Sequence, residues 1–291
     1  MTVGQRFEAL LSNITLTADQ RNGGITNHTG VRSCLNSHYY GVRNDYSNSM
    51  LVGSWGKSTE VRPPRDIDVL FVLPDSVYWR FQNRVGNRQS QLLQEVKGAL
   101  AAKYSRTNIR GDGPVVLVPF ATYSVELVPA FKATTGQYLI PITTNGGSYK
   151  SFDPDAEIAK VMNSDSATNG NTRALIRVMK RWQDFCSVTM KSFWLELIAI
   201  DFLSWWQYRQ NSTTYYDYMV RDFLSHLVGK SGSYLSVPGT GELLWLGSEW
   251  KSKAESAHAR ALKACKFEAE NMPYSAGDEW QKIFGDFIPK G

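Results

Sequence analysis

The hydrophobic residues in the first half of the chain follow two different spacings. Apolar residues three and four positions apart predict amphipathic helices in three stretches, 7–14, 31–39 and 92–104. Short continuous apolar runs predict strands at 50–52, 67–73, 115–120 and 123–128, with 137–141 as a candidate fifth strand. This half of the chain is therefore expected to mix strands with helices.

From about Asp153 the spacing is almost entirely helical. It predicts helices at 175–182, 193–206, 215–228, 248–265 and 278–284. Glycine commonly follows the end of a helix and serine commonly caps its start, so Gly229 and Gly285 are expected to end two of these helices and Ser248 to cap the fourth. The polar residues 164–171 predict a loop.

These elements predict an α/β (α+β) fold in two lobes. Residues 1–150 are expected to form an α/β lobe with a mixed sheet, and residues 151–291 a helical lobe packed on it. The N-terminal helices are candidates to pack on the second lobe. A hydrophobic content of 42% is enough for a sizeable core.

Composition excludes several classes of protein. No apolar run approaches the ~20 residues that span a bilayer, and the start of the chain does not resemble a secretory signal. The three cysteines are far apart and lack CxxC spacing, and the four histidines are scattered. This usage favours neither a disulfide framework nor a zinc site. We therefore expect a cytoplasmic protein with no membrane partner.

The formal charge of +5 is a weak indication of an anionic ligand. Basic residues are spread along the chain in runs of no more than two. A long polynucleotide track would show denser clustering, so no long nucleic acid is expected to bind.

Two aspartates stand out because they interrupt an apolar run. Asp66 and Asp68 are two residues apart on a predicted strand, so both carboxylates point to the same face. Like charges this close are costly unless a cation lies between them. Oxygen-only ligands favour Mg²⁺.

A third acid, Glu126, lies inside another predicted strand. If the two strands are neighbours, Glu126 completes a set of carboxylates able to hold two metal ions ~3.5–4 Å apart, the arrangement used for in-line phosphoryl transfer. An acidic pair on a strand also occurs as a solvated edge or as part of a loop ion pair.

Gly53 and Ser54 supply a candidate phosphate-binding turn. A glycine after a strand lets backbone N–H groups approach phosphate oxygens, and the serine hydroxyl adds a donor. Gly56-Lys57-Ser58 does not fit a P-loop, because the first glycine of that motif would fall at Leu51, and Pro63-Pro64 closes off the long helix that must follow. Eleven residues separate Ser54 from Asp66. Gly53-Ser54 and the acidic pair at this spacing, with a third acid downstream, are together more specific than either feature alone.

The segment Val52-Gly53-Ser54, the eleven-residue spacer and Asp66-Ile67-Asp68-Val69 resemble the signature of the DNA polymerase β-like nucleotidyltransferase superfamily. Within it, the segments 62–70 and 125–130 resemble the bacterial cGAS/DncV-like nucleotidyltransferases (CD-NTases), relatives of cyclic GMP-AMP synthase that make nucleotide second messengers in anti-phage defence. Further segments fit this subgroup: 138–141, 152–154, 176–182, 191–196 and 280–285.

The resemblance implies a role for each candidate residue. Asp66, Asp68 and Glu126 would be catalytic and bind two Mg²⁺ or Mn²⁺ ions, although many relatives have aspartate in place of the glutamate. The nucleotide-binding residues would be Gly53, Ser54, Lys180, Ser192 and Phe193. Gly53 and Ser54 would hold the β- and γ-phosphates. Lys180 and Ser192 would contact the triphosphate from the helical lobe, which would complete the nucleotide cleft, and Phe193 would stack on a base. A solvated helix lysine and a core phenylalanine are the alternatives.

The function implied is template-independent synthesis of a cyclic oligonucleotide messenger from nucleoside triphosphates. A downstream effector would recognise the product, and a regulatory protein partner is compatible with the subgroup. Two alternatives stay open: a transferase that extends RNA or tRNA or makes linear oligoadenylate, and a catalytically inactive nucleotide-binding homologue. The intact acids Asp66, Asp68 and Glu126 speak against the second alternative.

Overall fold

The computed structural model describes residues 1–291, which divide into two compact units. The sheet unit comprises residues 16–58 and 64–158, and the helical unit comprises residues 1–15, 59–63 and 159–291. The chain crosses between the units after residues 15, 58 and 63, and for the last time after residue 158, within helix α6 (Pro154–Ala167). The predicted boundary near residue 150 instead falls within strand β7 (Ser148–Phe152), and the two N-terminal helices belong to different units.

The sheet unit contains seven strands and four complete helices. Its strands are β1 (Ser49–Leu51), β2 (Ile67–Val72), β3 (Arg110–Asp112), β4 (Val115–Pro119), β5 (Ser124–Lys132), β6 (Tyr138–Ile142) and β7 (Ser148–Phe152). Its helices are α2 (Ala18–Tyr40), α3 (Gly53–Lys57), α4 (Asp75–Gln82) and α5 (Arg88–Lys103).

The sheet is mixed, with the order β1-β2-β5-β4-β3, while β6 pairs with β5 and β7. Strands β2 and β5 are parallel, and every other pair is antiparallel. One sheet face packs in a core with residues of α2 and α5, among them Val31, Leu35 and Leu92. Alternate residues of β2 and β5 supply that core, so the residues between them lie on the opposite face.

The helical unit contains α1 (Val3–Ile14), α7 (Asn171–Phe185), α8 (Ser192–Trp205), α9 (Tyr216–Gly229), α10 (Lys251–Ala269) and α11 (Pro273–Phe284), together with most of α6. These helices share one core around Trp182, Phe202, Phe223 and Trp280, each of which is fully buried. A short hairpin, β8 (Tyr234–Ser236) with β9 (Leu243–Trp245), lies between α9 and α10. None of the helices combines the length and the hydrophobicity of a membrane-spanning segment.

The predicted α/β (α+β) fold with a mixed sheet is confirmed, and the differences concern element ends. Residues 164–167 belong to α6 and not to a loop. The fourth predicted helix starts at Lys251 without a side-chain cap, so Ser248 does not cap it. The final helix starts at Pro273, well before residue 278, because proline fits the first turn of a helix. The β8–β9 hairpin was not predicted, since its strands have only three residues each.

Candidate functional site

The three predicted acids lie on one side of the sheet unit. Asp68 lies in β2 and Glu126 in β5, and the two are register partners across the parallel pair, so their side chains leave the same face as neighbours. Asp66 is exposed and directly precedes β2, on the same side as Asp68. The flanking residues Ile67 and Val69 are fully buried in the core on the other face. The two strands are therefore neighbours, which is the condition that the sequence analysis set for a shared acidic site.

The surroundings of Glu126 perturb the pKa of its carboxyl group. Burial and the negative charges of Asp68, Asp66 and Asp112 raise its pKa from 4.5 to about 7. Burial is the largest cause, because it disfavours the charged form of the carboxyl group. The three acids nevertheless do not form a ready-made metal centre, since no group of three or more His, Cys, Asp or Glu side chains is arranged to hold an ion.

The turn at Gly53 is fitted directly against Asp68. The N–H of Val52 donates to the carbonyl of Asp68 at 3.0 Å, which holds the turn beside β2. Gly53 has φ +55°, and a Cβ there would lie 2.7 Å from the Asp68 Cγ. Any other residue would therefore collide with the carboxylate as well as adopt a left-handed backbone. Ser54 directly follows Gly53 in the first turn of α3 and is half-buried.

Helix α3 is only five residues long and is held by three neighbouring contacts. Trp55 is 9% exposed and packs edge-on against Tyr123 with ring centroids 5.9 Å apart. A Cβ at Gly56 would lie 3.0 Å from the carbonyl carbon of Leu51, so the backbone of β1 passes directly over the helix. Lys57 is buried and forms a 3.0 Å ion pair with Glu157. These residues fix the position of the turn, a role that the sequence analysis missed.

Lys180, predicted to reach a triphosphate, lies in a buried ion pair of the helical unit. Its Nζ donates to Glu196 Oε1 at 2.7 Å and to Thr59 Oγ1 at 2.9 Å. Lys180, Glu196 and Thr59 are all buried, with 8%, 3% and 0% exposure. The alternative of a solvated helix lysine is therefore wrong. The role of Lys180 in nucleotide binding stays a prediction, and it would require the ammonium to exchange or share its present partners.

Ser192 and Phe193 begin helix α8 and are both half-buried. The Ser192 hydroxyl donates to Gln183 Oε1 of α7 at 2.8 Å, which sets its orientation. The apolar body of the helix starts at Leu195, which is fully buried. The proposed contacts of these two residues with nucleotide stay predictions.

The two partners of Lys180 were not recognised in the sequence. Glu196 interrupts an otherwise apolar helix, and a carboxylate at such a position requires a partner. Thr59 lies in the segment 59–63 that crosses into the helical unit. Their pairing with Lys180 depends on the tertiary packing of α7 against α8, which the sequence pattern does not specify.

Residues 1–164 match the family described as the Second Messenger Oligonucleotide or Dinucleotide Synthetase domain. A Bacillus cereus (strain VD146) protein named "Probable cyclic nucleotide synthase" is 22% identical over 275 residues, covering 81% of this chain and 81% of that protein.

Two solved structures have the same fold at low sequence identity. The structure of the E. coli MS115-1 CdnC:HORMA-deltaN complex matches with a TM-score of 0.71 at 15% identity, over 98% of both chains. The 3′-deoxy GTP bound form of Escherichia coli DncV matches with a TM-score of 0.72 at 11% identity, over 96% of this chain and 94% of that one. The likeness covers both compact units, so the whole chain has this fold.

Proposed function

Since this chain belongs to the family of second messenger oligonucleotide or dinucleotide synthetases, we propose that it joins nucleoside triphosphates, without a template, into a cyclic oligonucleotide. It is a nucleotidyltransferase. The proposal depends on one observation: Gly53 lies against the Asp68 side chain, and Asp68 is the register partner of Glu126. We call these three residues the row. This row combines a turn that can accept phosphate with carboxylates that can bind metal.

The chemistry of the donor atoms in this row suits a divalent cation. All of them are oxygen atoms, which suits Mg²⁺ or Mn²⁺. The pKa of Glu126, raised to about 7 by burial and neighbouring acids, reveals a concentration of negative charge that a cation would relieve. Asp66, Asp68 and Glu126 would hold the ions, and Asp66 is the exposed member of the set. Two such ions, when bound, would promote ionisation of the attacking hydroxyl and neutralise the leaving pyrophosphate.

The proposed reaction is one phosphoryl transfer repeated on each nucleotide. A ribose 2′- or 3′-oxygen of the acceptor forms a bond to the α-phosphorus of the donor, and the bond from that phosphorus to the α–β bridging oxygen breaks. Pyrophosphate carries away the electron pair, and the hydroxyl proton passes to solvent. The backbone N–H groups and hydroxyl of Gly53-Ser54 would hold the β- and γ-phosphates of the donor. The last transfer, within the linear intermediate, closes the ring.

Residues of the helical unit complete the proposal. Lys180 would bind the triphosphate as a cation, Ser192 as a hydroxyl donor, and Phe193 would present its ring to a base. The buried ion pair with Glu196 would hold the Lys180 ammonium in one position and limit its movement.

The biological partners proposed here follow from family resemblance. The product would act on a downstream effector protein in anti-phage defence, in the cytoplasm. A structure of E. coli MS115-1 CdnC contains HORMA-deltaN as its partner, and we propose by analogy that a regulatory protein binds this chain. No long nucleic acid is required as a template.

The test is to incubate the protein with all four ribonucleoside triphosphates and Mg²⁺ or Mn²⁺, treat the products with phosphatase, and identify them by mass spectrometry. The expected product is a cyclic oligonucleotide that survives phosphatase. The double variant Asp66→Asn, Asp68→Asn should be folded and inactive. Linear phosphatase-sensitive chains or label transferred to added tRNA would support the RNA-extending alternative. Absence of nucleotide transfer with a folded wild type would support an inactive homologue.

A further inference from the structure

The row formed by Gly53, Asp68 and Glu126 continues across the sheet to Arg110, which has no role in the proposed function so far. Asp68 in β2 is the register partner of Glu126 in β5. Glu126 is in turn the register partner of Leu117 in β4, and Leu117 is the register partner of Arg110 in β3. Residues directly opposite one another across paired strands point to the same face. Arg110 therefore lies on the same sheet face as Asp68 and Glu126.

The burial pattern of the intervening strand supports this assignment. Val116 and Val118, on either side of Leu117, are fully buried in the core that packs on α2 and α5. Leu117 is the residue between them, so it lies on the opposite face, which is the face of the acids. Strands lie about 4.8 Å apart, so the Arg110 backbone is about 10 Å from that of Glu126. This is two strands away, at the edge of the sheet.

Strand β3 has a charged residue at each end, Arg110 and Asp112. Asp112 is two residues after Arg110 and so shares its face. Arg110 is exposed and forms no salt bridge in the structure, so its guanidinium is available to a ligand.

The order of residues in the row indicates on which side the donor nucleotide and the acceptor nucleotide would bind. Gly53 adjoins Asp68 at one end and is the proposed site of the donor phosphates, whereas Arg110 lies at the other end, beyond Glu126. The acceptor hydroxyl must approach the acids from the side away from the leaving pyrophosphate, because attack and departure are in line. The acceptor nucleotide is therefore expected on the Arg110 side.

We propose that Arg110 binds the 5′-phosphate groups of the acceptor nucleotide. This inference rests on the proposed nucleotidyl transfer and adds to it the residue that positions the second substrate. An acceptor triphosphate carries several negative charges past Asp66, Asp68, Asp112 and Glu126, which repel it. A guanidinium on the same face offsets that repulsion and matches phosphate oxygens with paired N–H donors.

The experiment measures acceptor use separately from donor use. The donor is a 2′,3′-dideoxynucleoside triphosphate, which can be transferred but has no hydroxyl to attack, held at a fixed saturating concentration. The acceptor is varied and is either the ribonucleoside triphosphate or the matching nucleoside without phosphates. The quantity measured is the KM of each acceptor for formation of the dideoxy-terminated dinucleotide, with Mg²⁺ or Mn²⁺ present.

Arg110→Ala should raise the KM of the triphosphate acceptor about 10- to 100-fold, the size of a lost charge-assisted contact, and leave the KM of the nucleoside acceptor unchanged. Arg110→Lys should raise the first KM by less, because it keeps the charge but loses the paired donors. Arg106→Ala, in the exposed turn before β3, is the matched control and should change neither value.

An unchanged KM for the triphosphate acceptor in Arg110→Ala would overturn the inference. An equal rise for both acceptors would also overturn it, because it would assign Arg110 to the base or to the architecture of the edge strand. If the wild-type protein forms no dideoxy-terminated product with either acceptor, the proposed function fails, and the inference fails with it. These outcomes separate the two claims.

Discussion

Replacing Glu126 with glutamine should stabilise the metal-free protein at neutral and alkaline pH. The wild-type carboxyl group has its pKa raised from 4.5 to about 7 by burial and by neighbouring acids. Between these two values the folded protein binds more protons than the unfolded chain, so stability is present at low pH and is lost as pH rises. Glutamine keeps the shape and removes this loss.

The size of the effect follows from the shift. Each pKa unit corresponds to about 1.4 kcal/mol, so the shift sets an upper limit of about 3 kcal/mol above pH 7. Glu126 is only half-buried, so solvent screening reduces the expected effect to about 1–2 kcal/mol. The free energy of unfolding of Glu126→Gln, measured with denaturant in EDTA, should exceed that of wild type by this order at pH 8. The two proteins should be nearly equal at pH 4.5.

Two controls have defined outcomes. Glu95→Gln should have the opposite sign, because Arg80 lowers the pKa of Glu95 and supports its charged form in the folded protein. Glu255→Gln should change little, since its ion pair with Lys251 is exposed. Equal stability of wild type and Glu126→Gln at pH 8, with both proteins metal-free, would refute the electrostatic account of the acidic centre.

Two further substitutions test the turn and the buried pair. Gly53→Ala should abolish nucleotide transfer and lower the melting temperature, because a Cβ would lie 2.7 Å from the Asp68 Cγ; activity equal to wild type would contradict the observed turn. Lys180→Met should destabilise the protein by about 3–5 kcal/mol by leaving Glu196 buried without its cation. The double variant Lys180→Met, Glu196→Leu should lose much less, as measured by denaturant unfolding, and an equal loss would mean that the pair is not the source of the effect.

Much of the fold could be predicted because the hydrophobic patterns of strands and helices involve residues that are close together in the sequence. The apolar runs around Asp68 and Glu126 predicted two strands, and a lone charge in each run indicated a shared functional face. Element ends were less predictable. Ser248 has the residue type of a helix cap, but the helix starts at Lys251 after the buried Trp250. Tertiary packing overrides a local capping preference at such a position.

The site was predictable in part for the same reason. The acids and Gly53 follow one another in a recognisable order along the chain, and the structure places Gly53, Asp68 and Glu126 side by side. The position of Arg110 depends on the register of β3, β4 and β5, which no local pattern specifies. The partners of Lys180 likewise depend on how α7 and α8 pack.

The most direct test of the central claim compares two labels in one product. The protein is incubated with nucleoside triphosphates carrying radioactive phosphorus at the α-position or, in a parallel reaction, at the γ-position, and the isolated oligonucleotide product is counted. A cyclic product keeps every α-label and no γ-label, because each nucleotide has lost its pyrophosphate. The account predicts α-label alone. Retention of one γ-label per product molecule would identify a linear chain with a 5′-triphosphate and would contradict it.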